Sequence, residues 1–270
     1  MKIISLNTYG GHVFEPLMEF VERMAPDTDV FCFQEVMNNA HGEFPQPEQG
    51  ERLNLLSELR SRLPNFQELF SVTQEKFGFD QNDLGSSDEG LAIFVKNELP
   101  IAGSGNFFIA NGFNSLVGHD YETLGANALY IRLKLGSSML NICNIHGVSE
   151  PANKLDTPKR IAQSQKILDM MSKLPGESVV MGDFNLFPET ESIKMFERAG
   201  YRNLVVEYNI KTTRGSHMRK LHPQHEHGKY GFQEFADYTF VSPGVHVQSF
   251  EVPDEPVSDH LPMILEIDQK

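Results

Sequence analysis

Cysteine and long hydrophobic runs are both scarce in this sequence. Its 270 residues include two cysteines, Cys32 and Cys143, and each lies within a short apolar run. We therefore expect two buried, reduced thiols, which favours the cytoplasm as the location. No apolar stretch reaches the roughly 18 residues that a membrane-spanning helix needs, so no membrane span is expected. The first residues, MKIISLNTYGG, are expected to form a strand and not a signal peptide.

Basic residues are also few. The sequence has 23 Lys and Arg against 37 Asp and Glu, which gives a formal net charge of −14. A protein that coats nucleic acid is basic, because the neutralisation of phosphates supplies most of its affinity. The acidic balance therefore argues against a general nucleic-acid coat. It argues less against an enzyme that holds a phosphate group through a bound cation.

The apolar residues that are present form short runs of strand length, several of which alternate with polar residues as half-buried strands do. The runs are KIISLN, DVFCFQE, EGLAIFVK, ALYIRLKL, MLNICNIHG, SVVMGDFN, ADYTFVS, VHVQSFEV and LPMILEI. Apolar residues at three- and four-residue spacing predict helices over 14–24, 55–59 and 161–171, and another short helix opens at Thr190. Many strands with a few helices between them predict two packed sheets with helices outside, in a single domain over residues 1–270.

Polar side chains recur where the predicted strands end or begin. The residues at these six places are Asn7, Gln34, Glu35, Asn144, His146, Asp183, Asn185, Asp237, Ser258, Asp259 and His260. One Asp after a strand is usually a turn residue, but six such places are hard to assign to turns alone. If they meet in space, they form a site with hard oxygen ligands, amide donors and a His–Asp pair. Asp183 and Asn185, two residues apart in the stretch GDFN, would then face the same side of a strand.

The order of these motifs carries a family resemblance. LN (6–7), QE (34–35), NIHG (144–147), GDFN (182–185), ADYTFVS (236–242) and SDHLP (258–262) follow one another along the chain. This set resembles the endonuclease/exonuclease/phosphatase superfamily, the deoxyribonuclease I-like metal-dependent phosphoesterases, over nearly the whole chain. The resemblance implies a four-layer α/β/β/α sandwich, with two mixed β-sheets face to face and helices outside. That architecture agrees with the pattern of strands and helices.

The resemblance also implies a metal site. Glu35 resembles the family's principal Mg²⁺ ligand, and Asn7 and Asp259 are expected beside it, binding the metal directly or through water. Oxygen ligands of this kind suit Mg²⁺, with Mn²⁺ as the alternative. Repair-type members often place an acid two residues after the first Asn, where this sequence has Tyr9. Metal binding would then rest more on Glu35 and Asp259, and Tyr9 would either line the substrate cleft or pack in the interior.

Five further residues receive catalytic roles from the resemblance. Asp183 would orient or deprotonate the attacking water, and Asn185 would hydrogen-bond a phosphate oxygen. His260 would contact the scissile phosphate, while Asp237 holds its ring and favours the imidazolium form. His146 matches the second histidine of the deoxyribonuclease and phosphatase branches. The exonuclease III branch tends to have Tyr there, so the sequence leans away from abasic-site repair.

Two weaker features complete the prediction. Glu89 matches an acid that pairs with the second histidine in deoxyribonuclease-like members, although an exposed Glu at a strand start is the plainer interpretation. The segment 211–230 is a basic patch on an acidic chain, where Arg214 would bind substrate phosphate unless the patch is simply a solvated loop. Its other basic and imidazole residues, whose spacing fits no standard zinc motif, are His217, Arg219, Lys220, His222, His225, His227 and Lys229.

The sequence therefore predicts a cytoplasmic, Mg²⁺-dependent phosphoesterase. A nuclease is the first expectation. The alternative is a phosphatase or phosphodiesterase that acts on a small phosphorylated molecule, such as an inositol phosphate or a phospholipid head group. A non-catalytic binding scaffold comes last, because every catalytic residue type is present. The expected partner is a phosphoester substrate, with nucleic acid among the candidates, and nothing in the sequence implies a protein partner.

Overall fold

The computed structural model describes residues 1–39, 50–77, 87–215, 230 and 232–268, which form two mixed β-sheets with helices. Within these residues each sheet has six strands. The first sheet has the order β11 (Val247–Glu251), β12 (Met263–Ile267), β1 (Lys2–Asn7), β2 (Val30–Asn38), β4 (Ser87–Lys96) and β3 (Phe66–Phe77). The second has the order β5 (Ile101–Ala110), β6 (Ala126–Leu135), β7 (Ser138–His146), β8 (Glu177–Asp183), β10 (Asp237–Val241) and β9 (Arg202–Asn203).

The two sheets enclose a shared core, and helices cover the outer faces. Cys32 and Ile93 of the first sheet pack in one buried cluster with Ile131 and Ile142 of the second. The other face of the first sheet, which includes Phe31, packs against α1 (Phe14–Met24) and α2 (Leu55–Arg62). Alternate residues of one strand therefore serve two different clusters, as the pleat requires.

The remaining helices belong to the second half of the chain. They are α3 (Pro158–Met171), α4 (Glu191–Arg198) and α5 (Leu204–Glu207). Helix α3 has a clear start, because Thr157 caps it by accepting from the Arg160 N–H at 3.1 Å and Pro158 follows at the first position. None of the described helices is both long enough and apolar enough to cross a membrane. The predicted sandwich of two mixed sheets with helices is confirmed.

The central strand pair of each sheet is parallel, and this determines where the polar strand ends lie. β1 pairs in parallel with β2, and β7 pairs in parallel with β8, so the carboxyl ends within each pair lie at the same edge. β10 runs antiparallel to β8 and starts at that edge, with Asp237 opposite Asp183. β12 runs antiparallel to β1, with Met263 opposite Ser5, which brings residues 258–260 beside the end of β1.

Three of the polar residues at strand ends hold the frame together. Gln34 Nε2 donates to Asn144 Oδ1 at 2.6 Å, and Asn144 Nδ2 donates to the Phe33 carbonyl at 2.9 Å, so a buried amide network ties one sheet to the other. Ser258 Oγ donates to the Asn7 carbonyl at 2.6 Å and fixes the segment before β12 to the end of β1. These side chains position the neighbouring site residues.

Candidate active site

The strand ends of both sheets converge on one cleft. Its volume is about 260 Å³, and its lining includes acids, two amides, imidazoles and two basic side chains. The lining residues are Tyr9, Glu35, Phe77, Glu89, Tyr121, Leu124, His146, Ser149, Glu150, Ala152, Lys154, Asp183, Asn185, Arg214, Gln233, Asp259 and His260. Residues from distant parts of the chain therefore meet where the sequence pattern placed them, at the edge shared by the parallel pairs.

Glu35 enters the cleft through an irregularity in its strand. The pairing of β2 with β4 shifts between Phe33 and Val36, and Glu35 has a φ of 54°, in the left-handed region. A bulge of this kind re-aims one side chain, and a non-glycine residue held in that region costs about 1–3 kcal/mol. Burial raises the pKa of Glu35; His146 opposes the rise and the negative charge of Asp259 adds to it.

Asn7 joins two of the carboxylates. Its Nδ2 donates to Glu35 Oε1 at 2.8 Å and to Asp183 Oδ2 at 3.1 Å. Its Oδ1 accepts from the Tyr9 N–H at 3.0 Å, which fixes the orientation of the amide. Tyr9 lines the cleft, and burial raises its pKa to about 12 with help from the charges of Asp259 and Glu35. In this arrangement Asn7 is a hydrogen-bond donor to the acids, and its role as a metal ligand stays a prediction.

The GDFN stretch forms the end of β8 and the turn beyond it. Gly182 has a φ of 135°, and a Cβ there would lie 2.2 Å from the Ile145 carbonyl oxygen, so only glycine fits. The strand ends at Asp183, and Asn185 lies past it with a φ of 55°, not within the strand as predicted. Both side chains still line the cleft, because the Asn185 N–H bonds to Asp183 Oδ1 at 2.8 Å and pins the turn.

Asp183 lies at the centre of the cluster. Burial alone would raise its pKa, but the surrounding positive charge of His260, Lys154, His146 and Arg214 outweighs burial and lowers the pKa to about 2. Its Oδ2 is 3.6 Å from His260 Nε2 and 3.9 Å from His146 Nε2. Asp183 is therefore a carboxylate at any ordinary pH, with an imidazole ring on each side.

His260 and Asp237 form a tight buried pair. His260 Nδ1 is 2.8 Å from Asp237 Oδ2 and 2.9 Å from Oδ1, so Nδ1–H donates to the carboxylate. Burial and Arg214 act to lower the His260 pKa, but Asp237, Asp259 and Asp183 outweigh them and raise it. Structure and sequence agree in bringing this pair together at hydrogen-bond distance.

Arg214 lies in the cleft but is already engaged. Its Nη2 donates to Asp259 Oδ2 at 2.7 Å, and its Nη1 contacts His260 Nε2. Burial would raise the pKa of Asp259, yet Arg214 and His260 lower it. Arg214 therefore holds Asp259, and its binding of substrate phosphate stays a prediction. The rest of the basic patch, from His217 to Lys229, lies outside the described residues.

His146 and Glu89 form a second, looser pair. His146 Nδ1 is 3.7 Å from Glu89 Oε1, and its Nε2 is 3.5 Å from Glu35 Oε1. Burial would lower the His146 pKa, but the interaction with Glu89 and the charges of Glu35 and Asp183 raise it to about 9. Glu89 is 2% exposed, so the plainer interpretation of an exposed acid does not apply.

Sequence reasoning missed Lys154. This buried side chain lines the cleft, and its Nζ donates to Asn185 Oδ1 at 2.8 Å. It comes from a loop, in the stretch PANKLDTP, whose pattern is typical of a solvated turn. Lys154 shares one backbone signal with the other cleft residues. Of the eight non-glycine residues with positive φ in the described part of the chain, four line the cleft, namely Tyr9, Glu35, Lys154 and Asn185. Such strain clusters at functional sites.

The donor set fits a hard divalent cation. Two groups of three side chains have ligand atoms within 4.8 Å of one another: Glu35, His146 and Asp183, and Asp183, Asp237 and His260. Glu35 and Asp183 share one amide donor, and burial together with the negative charge of Asp259 raises the Glu35 pKa, a cost that a cation would relieve. Asp259 belongs to neither group among the described residues, since Arg214 holds it.

A family model decides the classification. The model of the Endonuclease/Exonuclease/phosphatase family matches residues 4–260. The chain belongs to this family. Phosphoester hydrolysis follows from membership as its general activity, and members generally depend on a divalent metal. A comparison with curated proteins found no match.

Solved structures of the family share the fold. An endonuclease/exonuclease/phosphatase family protein from Leptotrichia buccalis is similar, with a TM-score of 0.72 at 17% identity and 99% of both chains covered. The mannosyl-6-phosphatase Bt3783 of Bacteroides thetaiotaomicron has a TM-score of 0.71 at 16% identity, again over 99% of both chains. The human Nocturnin catalytic domain, solved with a sulfate anion, has a TM-score of 0.62 at 18% identity over 100% of this chain and 93% of that one. These identities establish a common architecture.

Proposed function

We propose that the protein is a metal-dependent phosphoester hydrolase whose reaction takes place over Asp183. The proposal is supported by one observation: two imidazoles, each paired with its own carboxylate, both face the carboxylate of Asp183. His146 Nε2 and His260 Nε2 lie 3.9 and 3.6 Å from Asp183 Oδ2. Phosphoester hydrolysis needs an aimed water and positive charge around the phosphate oxygens, and this cluster offers both.

Each residue then has a chemical role. Asp183, with a pKa of about 2, is a weak base, so it orients the attacking water by accepting a hydrogen bond from it. His146 and His260 would supply positive charge to the phosphate, and His260 would donate a proton to the leaving oxygen. Asp237 fixes the ring of His260 through Nδ1. Asn185 bounds the phosphate site on the side of Lys154.

We propose Mg²⁺ as the metal, with Mn²⁺ as the alternative. Glu35 would hold it together with Asp183, and Asp259 and Asn7 would act from beside them, directly or through water. When bound, the metal neutralises charge on the non-bridging phosphate oxygens. The surrounding protein keeps Glu35 in place through its strained backbone and the Asn7 amide.

We propose a small phosphorylated substrate as the first candidate and a nucleic acid as the second. Among the described residues that line the cleft, the Lys and Arg side chains are Lys154 and Arg214, beside apolar and acidic side chains such as Tyr121, Leu124 and Glu150. A nuclease needs basic contacts to phosphates beyond the scissile one. Nuclease activity, the first expectation from sequence, is the second candidate, because the matching family includes endonucleases and exonucleases. One catalytic domain over 1–270 and a cytoplasmic location stay predictions.

A substrate panel with and without EDTA tests the proposal. We expect EDTA-sensitive hydrolysis of p-nitrophenyl phosphate that exceeds hydrolysis of bis-p-nitrophenyl phosphate, plasmid DNA and single-stranded RNA. Asp183→Asn should abolish it, and Glu35→Gln should reduce it strongly with partial recovery at high Mg²⁺, while both variants keep the wild-type melting profile. Undiminished activity in Asp183→Asn, or indifference to EDTA, would contradict the mechanism, and a preference for the nucleic acids would establish the nuclease.

A further inference from the structure

Lys154 is a buried cation with unused hydrogen-bonding capacity. Its side chain is in the cleft, and the residue is 6% exposed. An ammonium group has three N–H donors, and within the described residues its one hydrogen bond is to Asn185 Oδ1 at 2.8 Å. Burying an ammonium is costly unless it is paired, so two remaining donors over a substrate cleft need a partner.

The loop that carries Lys154 is held rigidly in place. Arg160 is fully buried and donates from its guanidinium to the carbonyls of Val148, Pro151 and Leu155 at 3.2, 2.8 and 2.7 Å. The Lys154 carbonyl accepts from the Phe187 N–H at 3.0 Å. This frame supports a left-handed backbone at Lys154, with a φ of 55°, that a long polar side chain would not adopt in a free loop.

The two basic side chains of the cleft differ in how far they are engaged. The guanidinium of Arg214 contacts Asp259 through Nη2 and His260 through Nη1. Lys154 makes no ion pair with a carboxylate of the described residues and bonds only to a neutral amide. Burial lowers the pKa of Lys154 to about 8, so the ammonium is still the major form at neutral pH. Lys154, and not Arg214, is therefore the cation available to an incoming anion.

We propose that Lys154 binds a non-bridging oxygen of the scissile phosphate and selects phosphomonoesters over phosphodiesters. The proposal rests on the proposed phosphoesterase function and names the substrate class of the same site. Its ammonium lies beside Asn185 and close enough to Asp183 for the two charges to interact. A phosphate over Asp183 would therefore meet Lys154 as well as His146 and His260.

The difference between the two ester classes gives Lys154 its discriminating role. A monoester phosphate is nearly a dianion at pH 7, with three non-bridging oxygens, whereas a diester is a monoanion with two. The third oxygen and second charge of the monoester need an extra cationic donor. A charge-assisted hydrogen bond from a buried ammonium supplies one, and such bonds are stronger than neutral ones.

Lys154→Met tests the proposal, because it keeps the apolar stem and removes the charge. We expect KM for p-nitrophenyl phosphate to rise at least about tenfold, and the inhibition constant of inorganic phosphate to rise equally. KM for bis-p-nitrophenyl phosphate should change by less than about threefold. Lys154→Arg should restore most of the phosphate affinity. Lys166→Met, which removes the same charge from the exposed face of α3, is the matched control and should behave as wild type.

A double-mutant cycle separates direct binding from an effect through Asn185. If Lys154 contacts phosphate, Lys154→Met should still weaken inorganic phosphate inhibition about tenfold in an Asn185→Ala background. If Lys154 serves only to orient Asn185, it should add nothing there, and the proposal is overturned. Equal losses for monoester and diester would also overturn the selectivity.

The binding arm stands apart from catalysis. Calorimetric titration of the 270-residue protein with inorganic phosphate and Mg²⁺ measures affinity whether or not any ester is hydrolysed. If the wild type hydrolyses esters and Lys154→Met binds phosphate as tightly as the wild type, the role of Lys154 is rejected and the hydrolase function stands. If the wild type hydrolyses no ester but Lys154→Met still lowers the affinity for phosphate, the hydrolase function is rejected and the anion-binding role of Lys154 stands.

Discussion

Two acid–imidazole pairs bridge the two sheets, and the distance between acid and imidazole differs between them. In one pair the imidazole belongs to the second sheet, and in the other it belongs to the first. His146, at the end of β7 in the second sheet, faces Glu89 of the first sheet at 3.7 Å. His260, before β12 of the first sheet, faces Asp237 of the second at 2.8 Å. The same chemical device thus occurs once on each side of Asp183, tight and fully buried on one side and looser on the other.

The surroundings of the two rings differ as well. Around His146 the charged neighbours are acids, and its side chain is 14% exposed. His260 is 2% exposed, and Arg214 contacts its Nε2 and opposes its protonation. On the proposed mechanism, His146 would be a standing positive charge and His260 would be the proton donor to the leaving oxygen.

The largest expected loss of activity comes from removing the imidazole of His260. His260→Ala should lower kcat by about 10³-fold, because it removes the proton donor. His146→Ala should cost only about tenfold, since it removes one positive charge and leaves the proton donor in place. Steady-state kinetics on the same ester measures both, and melting temperatures establish that each variant is folded. Equal losses would mean that the two rings have equivalent roles.

A smaller loss of activity is expected when the partner of His260, Asp237, loses its charge. Asp237→Asn keeps the hydrogen bond and removes the charge that favours the imidazolium, so the His260 pKa should fall. The protonated ring is then lost at a lower pH, and the alkaline limb of the rate profile should move to lower pH. The loss at the optimum should be about 10- to 100-fold, below that of His260→Ala. Histidine NMR follows the pKa, with His260→Ala as the assignment control, and an upward shift would contradict the pairing.

The smallest effect concerns Glu89. The His146 pKa is raised from 6.5 to about 9, so its contribution to stability is full below pH 6.5 and is lost as pH rises through 9. Glu89→Gln should lower that pKa and remove about 1 kcal/mol of this contribution in metal-free protein. Urea unfolding at pH 6.5 and 9.5 in EDTA measures it. A stability difference between variant and wild type that is the same at both pH values would show that Glu89 does not act through His146.

Most of the sheets could be predicted from the sequence, and the misses have one cause. The three strands without a prediction, β3, β5 and β9, all lie at sheet edges. An edge strand buries little of its surface, so its apolar pattern can be weak, although β11, which also lies at an edge, was predicted from the run VHVQSFEV. β3 reads FQELFSVTQEKF, and β5 contains Gly103 and Gly105, which are unfavourable in strands. Central strands, buried on both faces, gave continuous apolar runs.

Some residues of the site could be predicted from the sequence and others could not. Residues at strand ends, such as Glu35 and Asp183, could be found because a polar group after a buried run is conspicuous. Lys154 could not, because a lysine in a polar loop resembles any solvated lysine until the fold buries it. The engagement of Arg214 with Asp259 was equally hidden, since 45 residues separate the two.

The most direct measurement is the pH titration of both imidazoles in wild-type and Asp183→Asn protein without metal. Asp183 raises the pKa of His146 and of His260 alike, because its carboxylate faces both Nε2 atoms. We expect both pKa values to fall in Asp183→Asn, together with the loss of phosphoester hydrolysis in the metal-loaded protein. If only one histidine responds, or neither does, the two rings do not converge on Asp183, and the proposed site is wrong.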